Sequence, residues 1–237
     1  RDGFEIEKTG TNDGRVDWNL SIPDSAAQYL AEGETVTTTY RLRVSDDSGA
    51  DNDVITQDVV ITLTGTNDRP TISVVDVVGA VTEDASVVAD NPNTSGVTED
   101  GAYLTDSGSV TFAETDDTDV LTSTVELASA VAGNGAAEVS TALSAALENA
   151  VILSQSGSND GSIGWSFALD NTLTQYLGEG ETVTATYDLT VGDDSATGSS
   201  DQTQQVTVVI TGANDAPATL SVSADNFDEI ESTVTDN

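Results

Sequence analysis

Glu179-Gly180-Glu181-Thr182-Val183-Thr184-Ala185-Thr186-Tyr187-Asp188-Leu189-Thr190-Val191 is the stretch on which the fold turns. From Val183 onward every second residue is apolar: Val183, Ala185, Tyr187, Leu189 and Val191. A period of two places all five on one face of an extended strand, with Thr and Asp on the other. One buried face and one solvated face is the habit of antiparallel sheets. The passage also occurs earlier, as Glu32-Gly33-Glu34-Thr35-Val36-Thr37 followed by the series Val36, Thr38, Tyr40, Leu42 and Val44.

Working outward, the two passages prove to be parts of one long repeat. Gly10-Thr11-Asn12-Asp13-Gly14 with Trp18 returns as Gly157-Ser158-Asn159-Asp160-Gly161 with Trp165. Gln28-Tyr29-Leu30 returns at Gln175-Tyr176-Leu177, Asp46-Asp47-Ser48 at Asp193-Asp194-Ser195, and Asn67-Asp68 before Pro70 at Asn214-Asp215 before Pro217. The offset is 147 throughout, and residues 10–70 match residues 157–217 at 29 of 61 positions. That period is too long for the common solenoid repeats, so each unit is expected to be a whole domain. The chain then divides into 1–68, the C-terminal part of a first module; 69–215, one complete module; and 216–237, the start of a third. Its beginning at Arg1 predicts a piece cut from something longer.

Further alternation marks strands at Val59, Ile61 and Leu63, at Val206, Val208 and Ile210, at Ile163, Trp165, Phe167 and Leu169, and at Leu121, Val125 and Leu127. Acidic and Gly-containing clusters separate them, the spacing of an all-β sandwich. Residues 136–150 differ: they are rich in Ala and Leu, and Val139, Leu143 and Leu147 recur every four residues. This predicts an amphipathic helix inserted in the complete module. A short helical turn is expected before Leu30 and Leu177. Trp18 and Trp165 alternate with apolar neighbours and read as core. The Asn-Asp-Gly triplets at 12–14 and 159–161 read as tight turns.

The chain carries 42 acidic residues against 6 basic ones, a formal net charge of −36. Such a field repels phosphates and anionic lipid, which argues against nucleic-acid or membrane partners. No apolar run is long enough to span a bilayer. Without Cys there is no disulfide or thiol nucleophile, and without His the usual general base is missing. Lys8 is the only lysine. A carboxylate pair is the catalytic option left, but the acids sit in repeated turns, so the expectation is no enzyme.

The run from Glu179 to Val191, then Asp193-Asp194, then Val206 to Thr211-Gly212-Ala213-Asn214-Asp215-Ala216-Pro217, resembles the C-terminal half of a VCBS repeat. Thr98-Glu99-Asp100-Gly101, Leu104 and Ser107-Gly108-Ser109-Val110-Thr111-Phe112 resemble its opening strands. Thr-Glu-Asp also occurs at 82–84, and the period exceeds the usual module. The resemblance implies tandem immunoglobulin- or cadherin-like Greek-key β-sandwiches of giant bacterial surface adhesins, with Ca2+ held between domains.

Calcium takes six to eight hard oxygens from Asp, Glu, Asn and backbone carbonyls. Candidate ligands stand in turns: Asp116, Asp117 and Asp119; Asp193 and Asp194, with copies Asp46 and Asp47; Asn67 and Asp68, with copies Asn214 and Asp215; Glu32 and Glu34, with copies Glu179 and Glu181; and Glu99 and Asp100. In an immunoglobulin-like topology alternate loops gather at opposite ends. Asp116–Asp119 and Asp193–Asp194 then share the end where linker Asn67-Asp68 enters, faced by Glu32 and Glu34 of the preceding module. The functional expectation is a calcium-rigidified extender of an extracellular bacterial adhesin or surface filament, supporting adhesion or biofilm formation. The alternative is a carbohydrate- or protein-binding module. Expected partners are neighbouring modules, with homotypic or donor-strand assembly as the variant.

Overall fold

Twelve strands, one short α-helix and two 3-10 turns make up the regular structure among the described residues, which in this computed structural model are 3–10, 14–51, 53–94, 101–136, 138–195 and 201–216. The strands are β1 (Phe4–Thr9), β2 (Arg15–Leu20), β3 (Thr35–Ser45), β4 (Val54–Thr64), β5 (Thr71–Asp76), β6 (Val78–Thr82), β7 (Tyr103–Ala113), β8 (Thr122–Gly133), β9 (Val151–Ser156), β10 (Gly161–Asp170), β11 (Thr182–Gly192) and β12 (Gln202–Thr211). The helix, α1 (Thr141–Leu147), lies between β8 and β9. Asn12, Asp13, Glu99, Asp100 and the expected third module beyond residue 216 lie outside the described residues.

The last eight strands build a β-sandwich. One sheet runs β5-β7-β10-β9 and the other β6-β12-β11-β8. Among the described strands only β6 and β12 pair in parallel. Alternation does what the sequence asks of it: Val183, Ala185, Tyr187, Leu189 and Val191 are all buried, each separated by a half-buried polar residue. They meet Ile163, Trp165, Phe167 and Leu169 from the opposite sheet in one core. Trp165 is 1% exposed, and its indole nitrogen donates to the Asp76 carbonyl at 2.7 Å. Gly108 faces that ring, where a Cβ would stand 2.6 Å from it, so the ring needs a glycine opposite.

The first four strands repeat half of this design. β1–β2 pairs Phe4 with Leu20, and β9–β10 pairs Val151 with Phe167, each partner 147 residues later. β3–β4 pairs Thr35 with Thr64, and β11–β12 pairs Thr182 with Thr211, again 147 later. Gly33 and Gly180 both take a left-handed conformation, φ 75° and 77°, in the turn entering β3 and β11. The short 3-10 turns at Asp24–Ala26 and Asn171–Leu173 also correspond. Among the described residues, however, β1–β2 and β3–β4 remain separate two-stranded sheets.

Two expectations need correction. The helix covers 141–147 rather than 136–150: the Ser140 side chain caps it by accepting from the Leu143 amide at 3.1 Å, and Gly133, Asn134 and Gly135 hold the chain in strand and turn just before. Leu143 and Leu147 are fully buried, so the apolar spacing did identify the packed face. Trp18 is not core: it is 46% exposed, and among the described residues no strand covers it as β5 to β7 cover Trp165. It instead stacks on Phe4 with centroids 5.7 Å apart, and Phe4 stacks on Tyr40.

Candidate functional site: an acidic junction between ribbons and sandwich

The linker 65–70 joins β4 to β5 and runs past three loops. One is the 114–121 connection between β7 and β8, another the turn after β11, and the third the 31–34 turn before β3. Their positions follow from strand direction, since β7 ends, β8 begins and β11 ends at the side where β5 begins.

The contacts are specific. Asp68 donates its amide to Asp116 Oδ2 at 2.7 Å, and Asn67 Nδ2 donates to Asp193 Oδ2 at 3.3 Å. Across the junction Thr118 Oγ1 donates to Glu34 Oε1 at 2.9 Å, Ser195 Oγ to Glu32 Oε2 at 3.0 Å, and the Asp117 amide to the Tyr29 carbonyl at 3.2 Å. An open cleft of about 490 Å³ is lined there by Glu32, Glu34, Thr118, Asp119, Asp194 and Ser195.

Four buried oxygens at this junction have no hydrogen-bond partner: Asn67 Oδ1, Glu114 Oε2, Asp116 Oδ1 and Asp119 Oδ2. Asp116 is fully buried and Asp119 is 8% exposed. A buried carboxylate with an unsatisfied oxygen is costly unless a cation or proton meets it. The electrostatics agree. Burial raises the Asp119 pKa to about 6, with Asp116, Asp193, Asp194 and Glu34 adding repulsion. Burial also raises Asp116, assisted by Asp68, Asp193 and Glu34 and opposed by the Asp68 amide. Glu114 is raised by burial and by Asp116 and Asp193.

These donors suit a hard divalent cation. Three carboxylates and an Asn amide are the oxygen types calcium takes, and the imidazole and thiolate ligands typical of zinc sites need His and Cys, which this chain lacks. Among the described residues no three Asp or Glu side chains already form a closed metal-holding group. The junction is thus a gathering of unsatisfied acceptors rather than a finished coordination shell.

Of the residues chosen from sequence, Glu32, Glu34, Asn67, Asp68, Asp116, Asp119, Asp193 and Asp194 are brought together here. Asp117 is exposed and contributes its main chain. Asp46 and Asp47 lie away from the junction, in the β3–β4 hairpin, where Asp46 Oδ1 accepts from Ser48; Asp193 makes the same turn with Ser195. Glu179, Glu181, Asn214 and Asp215 mark the opposite end of the sandwich, since the extended β11 separates Glu181 from Asp193 by roughly 40 Å. There the Gly212 amide donates to the Glu181 carbonyl as the Gly65 amide does to Glu34, so the linker exit is clamped alike in both copies. Buried Glu83 fastens that exit, accepting from the Ala213 amide at 3.0 Å and from Gln175 at 2.9 Å.

Sequence reasoning missed two contributors. Glu114 opens the acidic run but sits beside the strand end, and its carboxylate accepts from the Thr115 amide. Asn159 is more than a turn residue: its side-chain amide braces the loop by donating to the Asp116 and Asp119 carbonyls at 2.7 and 3.2 Å. Its recurrence within Asn-Asp-Gly was the available signal.

No family model and no curated protein matches the chain. A solved structure, the crystal structure of a protein of unknown function from Porphyromonas gingivalis W83, is similar over 89% of this chain and 80% of its own, at 9% identity and a TM-score of 0.23. Likeness at that level carries no argument.

Proposed function

We propose that this chain is a structural extender of a large extracellular surface adhesin or filament, built from tandem immunoglobulin- or cadherin-like modules and stiffened by calcium at the junctions. The modules would divide near residues 68 and 215. The observation that carries this reading is the convergence of four unpartnered buried oxygens, from the linker and from the loop of residues 114–119, at the point where ribbons meet sandwich. Asp116, Asp119, Glu114 and Asn67 would hold the ion, with Asp193 and Glu34 close by. Bound calcium would neutralise the mutual repulsion and tie the linker to the loops on either side. The VCBS-like motifs and the repeated linker Asn-Asp support the same reading.

The test is calcium binding followed by calorimetry, beside melting in excess chelator and in millimolar calcium. A ligand that binds only the folded state stabilises it by about 2.7 kcal/mol at a hundred times its dissociation constant. Saturable binding with a raised melting temperature supports the reading. No heat and an unchanged melting temperature would leave the acids as a solvating surface.

A further inference from the structure

The two linkers of the complete module reach a single ladder from opposite ends. β5 and β6 follow each other with only Val77 between them, so residues 71–82 form an edge strand that crosses from the first sheet to the second. β5 pairs antiparallel with β7, and β6 pairs parallel with β12, from Thr207 opposite Val78 to Thr211 opposite Thr82. That ladder is closed at both ends. The Thr207 amide donates to the Val77 carbonyl and the Glu83 amide to the Thr211 carbonyl, each at 2.9 Å. Because β6 and β12 are parallel, the linker at Asp68 feeds the start of the edge strand, while Asn214 leaves the far end of β12.

Further contacts pin the edge strand in place. The Trp165 indole nitrogen donates to the Asp76 carbonyl at the crossing point. Asp106, on β7 of the other sheet, accepts from the Ala80 amide at 2.7 Å. The Glu83 carboxylate, by accepting from the Ala213 amide, ties the end of β6 to the chain just past β12. Gly79 lets the strand lie this close, since a Cβ there would stand 3.0 Å from the Trp165 ring and 3.2 Å from Val208. On its other side β12 is held to β11 by ten residue pairs, twice the five that join it to β6. Under tension the edge strand is therefore the part that yields.

We propose that the β6–β12 ladder is a mechanical clamp, through which the module bears tension applied along the chain. Pulling on linkers 65–70 and 212–216 drives β6 and β12 in opposite directions along their common axis. Every hydrogen bond of the ladder then shares the load, and all must fail nearly together. A load applied across the same ladder breaks them one after another, at lower force. Forced unfolding is governed by the unfolding rate, so this barrier sets the tension that the module withstands. The use of such a clamp rests on the extender reading, whereas its strength requires no calcium.

The experiment is single-molecule force spectroscopy of the whole chain in chelator. The chain has no cysteine, so introduced pairs give unique handles. Thr66→Cys with Ala216→Cys, both at exposed positions, loads the ladder lengthwise. Ala85→Cys with Ala216→Cys, also exposed, grips the adjacent ends of β6 and β12 and peels them apart. The expected result is a rupture force several times higher for the first pair, with a single step that releases the whole length between its handles. Asp106→Ala should lower that lengthwise force, because it removes a tie between β7 and β6. Equal forces in the two geometries overturn the proposal. So does a first lengthwise step that releases only part of the module, since another element would then have yielded before the clamp. If calcium fails to bind while the contrast between the geometries persists, the clamp stands and the calcium-stiffened junction falls.

Discussion

Strands β1–β4 and β9–β12 are the same design in two surroundings. They share sequence, turn conformation and hydrogen-bond register, yet Trp165 is 1% exposed and Trp18 46%. Tyr187 is buried and donates its hydroxyl to the Leu147 carbonyl at the helix end, whereas Tyr40 is half-buried against Phe4. Local pattern and turn chemistry therefore set the pairing, and burial depends on the strands that cover it.

The largest expected effect follows from that contrast. Trp165→Ala should cost about 3–5 kcal/mol in urea unfolding, the usual loss for a large buried ring. Trp18→Ala should cost about 1 kcal/mol, the worth of its stacking on Phe4. Equal losses would mean that the two copies are equally covered.

The junction sharpens the comparison at its boundary. In chelator at pH 8, Asp119→Asn should stabilise the chain by on the order of 2 kcal/mol, because it removes a buried charge from repelling neighbours. In calcium the same change should abolish most of the metal-dependent gain. Asp46→Asn, in the β3–β4 hairpin away from the junction, should do neither.

The pH dependence carries its own sign. Asp119 titrates near 6 when folded, against 3.8 for an ordinary aspartate carboxyl, so the folded state binds its proton more tightly. Without metal, that contribution is fully present below about 3.8 and is lost as pH rises through about 6. Melting temperature in chelator should fall between pH 5 and 7, and Asp119→Asn should flatten the slope. With calcium the gain should grow over the same range, since the ion competes with the proton.

The smallest effect concerns one hydroxyl. Tyr187→Phe should cost about 1 kcal/mol by leaving the buried Leu147 carbonyl unpaired. Tyr40→Phe should be silent on the same unfolding curve.

Much of this was legible in the residues. Alternation around Tyr187 and its copy around Tyr40 located β11 and β3, and the repeat aligned loops that the structure does bring together at Asn67, Asp116 and Asp193. What escaped depended on three dimensions. Trp18 has the pattern of a core residue, but a pattern cannot say whether a covering strand is present. The helix was overextended because Ala-rich composition favours helix throughout 136–150, while the Ser140 cap decides where it starts. Asn159 and Glu114 gain their roles from loops distant in sequence, and for Asn159 the recurrence of Asn-Asp-Gly was the one hint.

Small-angle scattering of the whole chain, in excess chelator and then in millimolar calcium, tests the central claim most directly, with the Asp116→Asn, Asp119→Asn double variant beside it. The account predicts that calcium narrows the distance distribution and lengthens the particle, and that the double variant gives the chelator profile in both conditions. Superimposable profiles for the unmodified chain in saturating calcium and in chelator would contradict it.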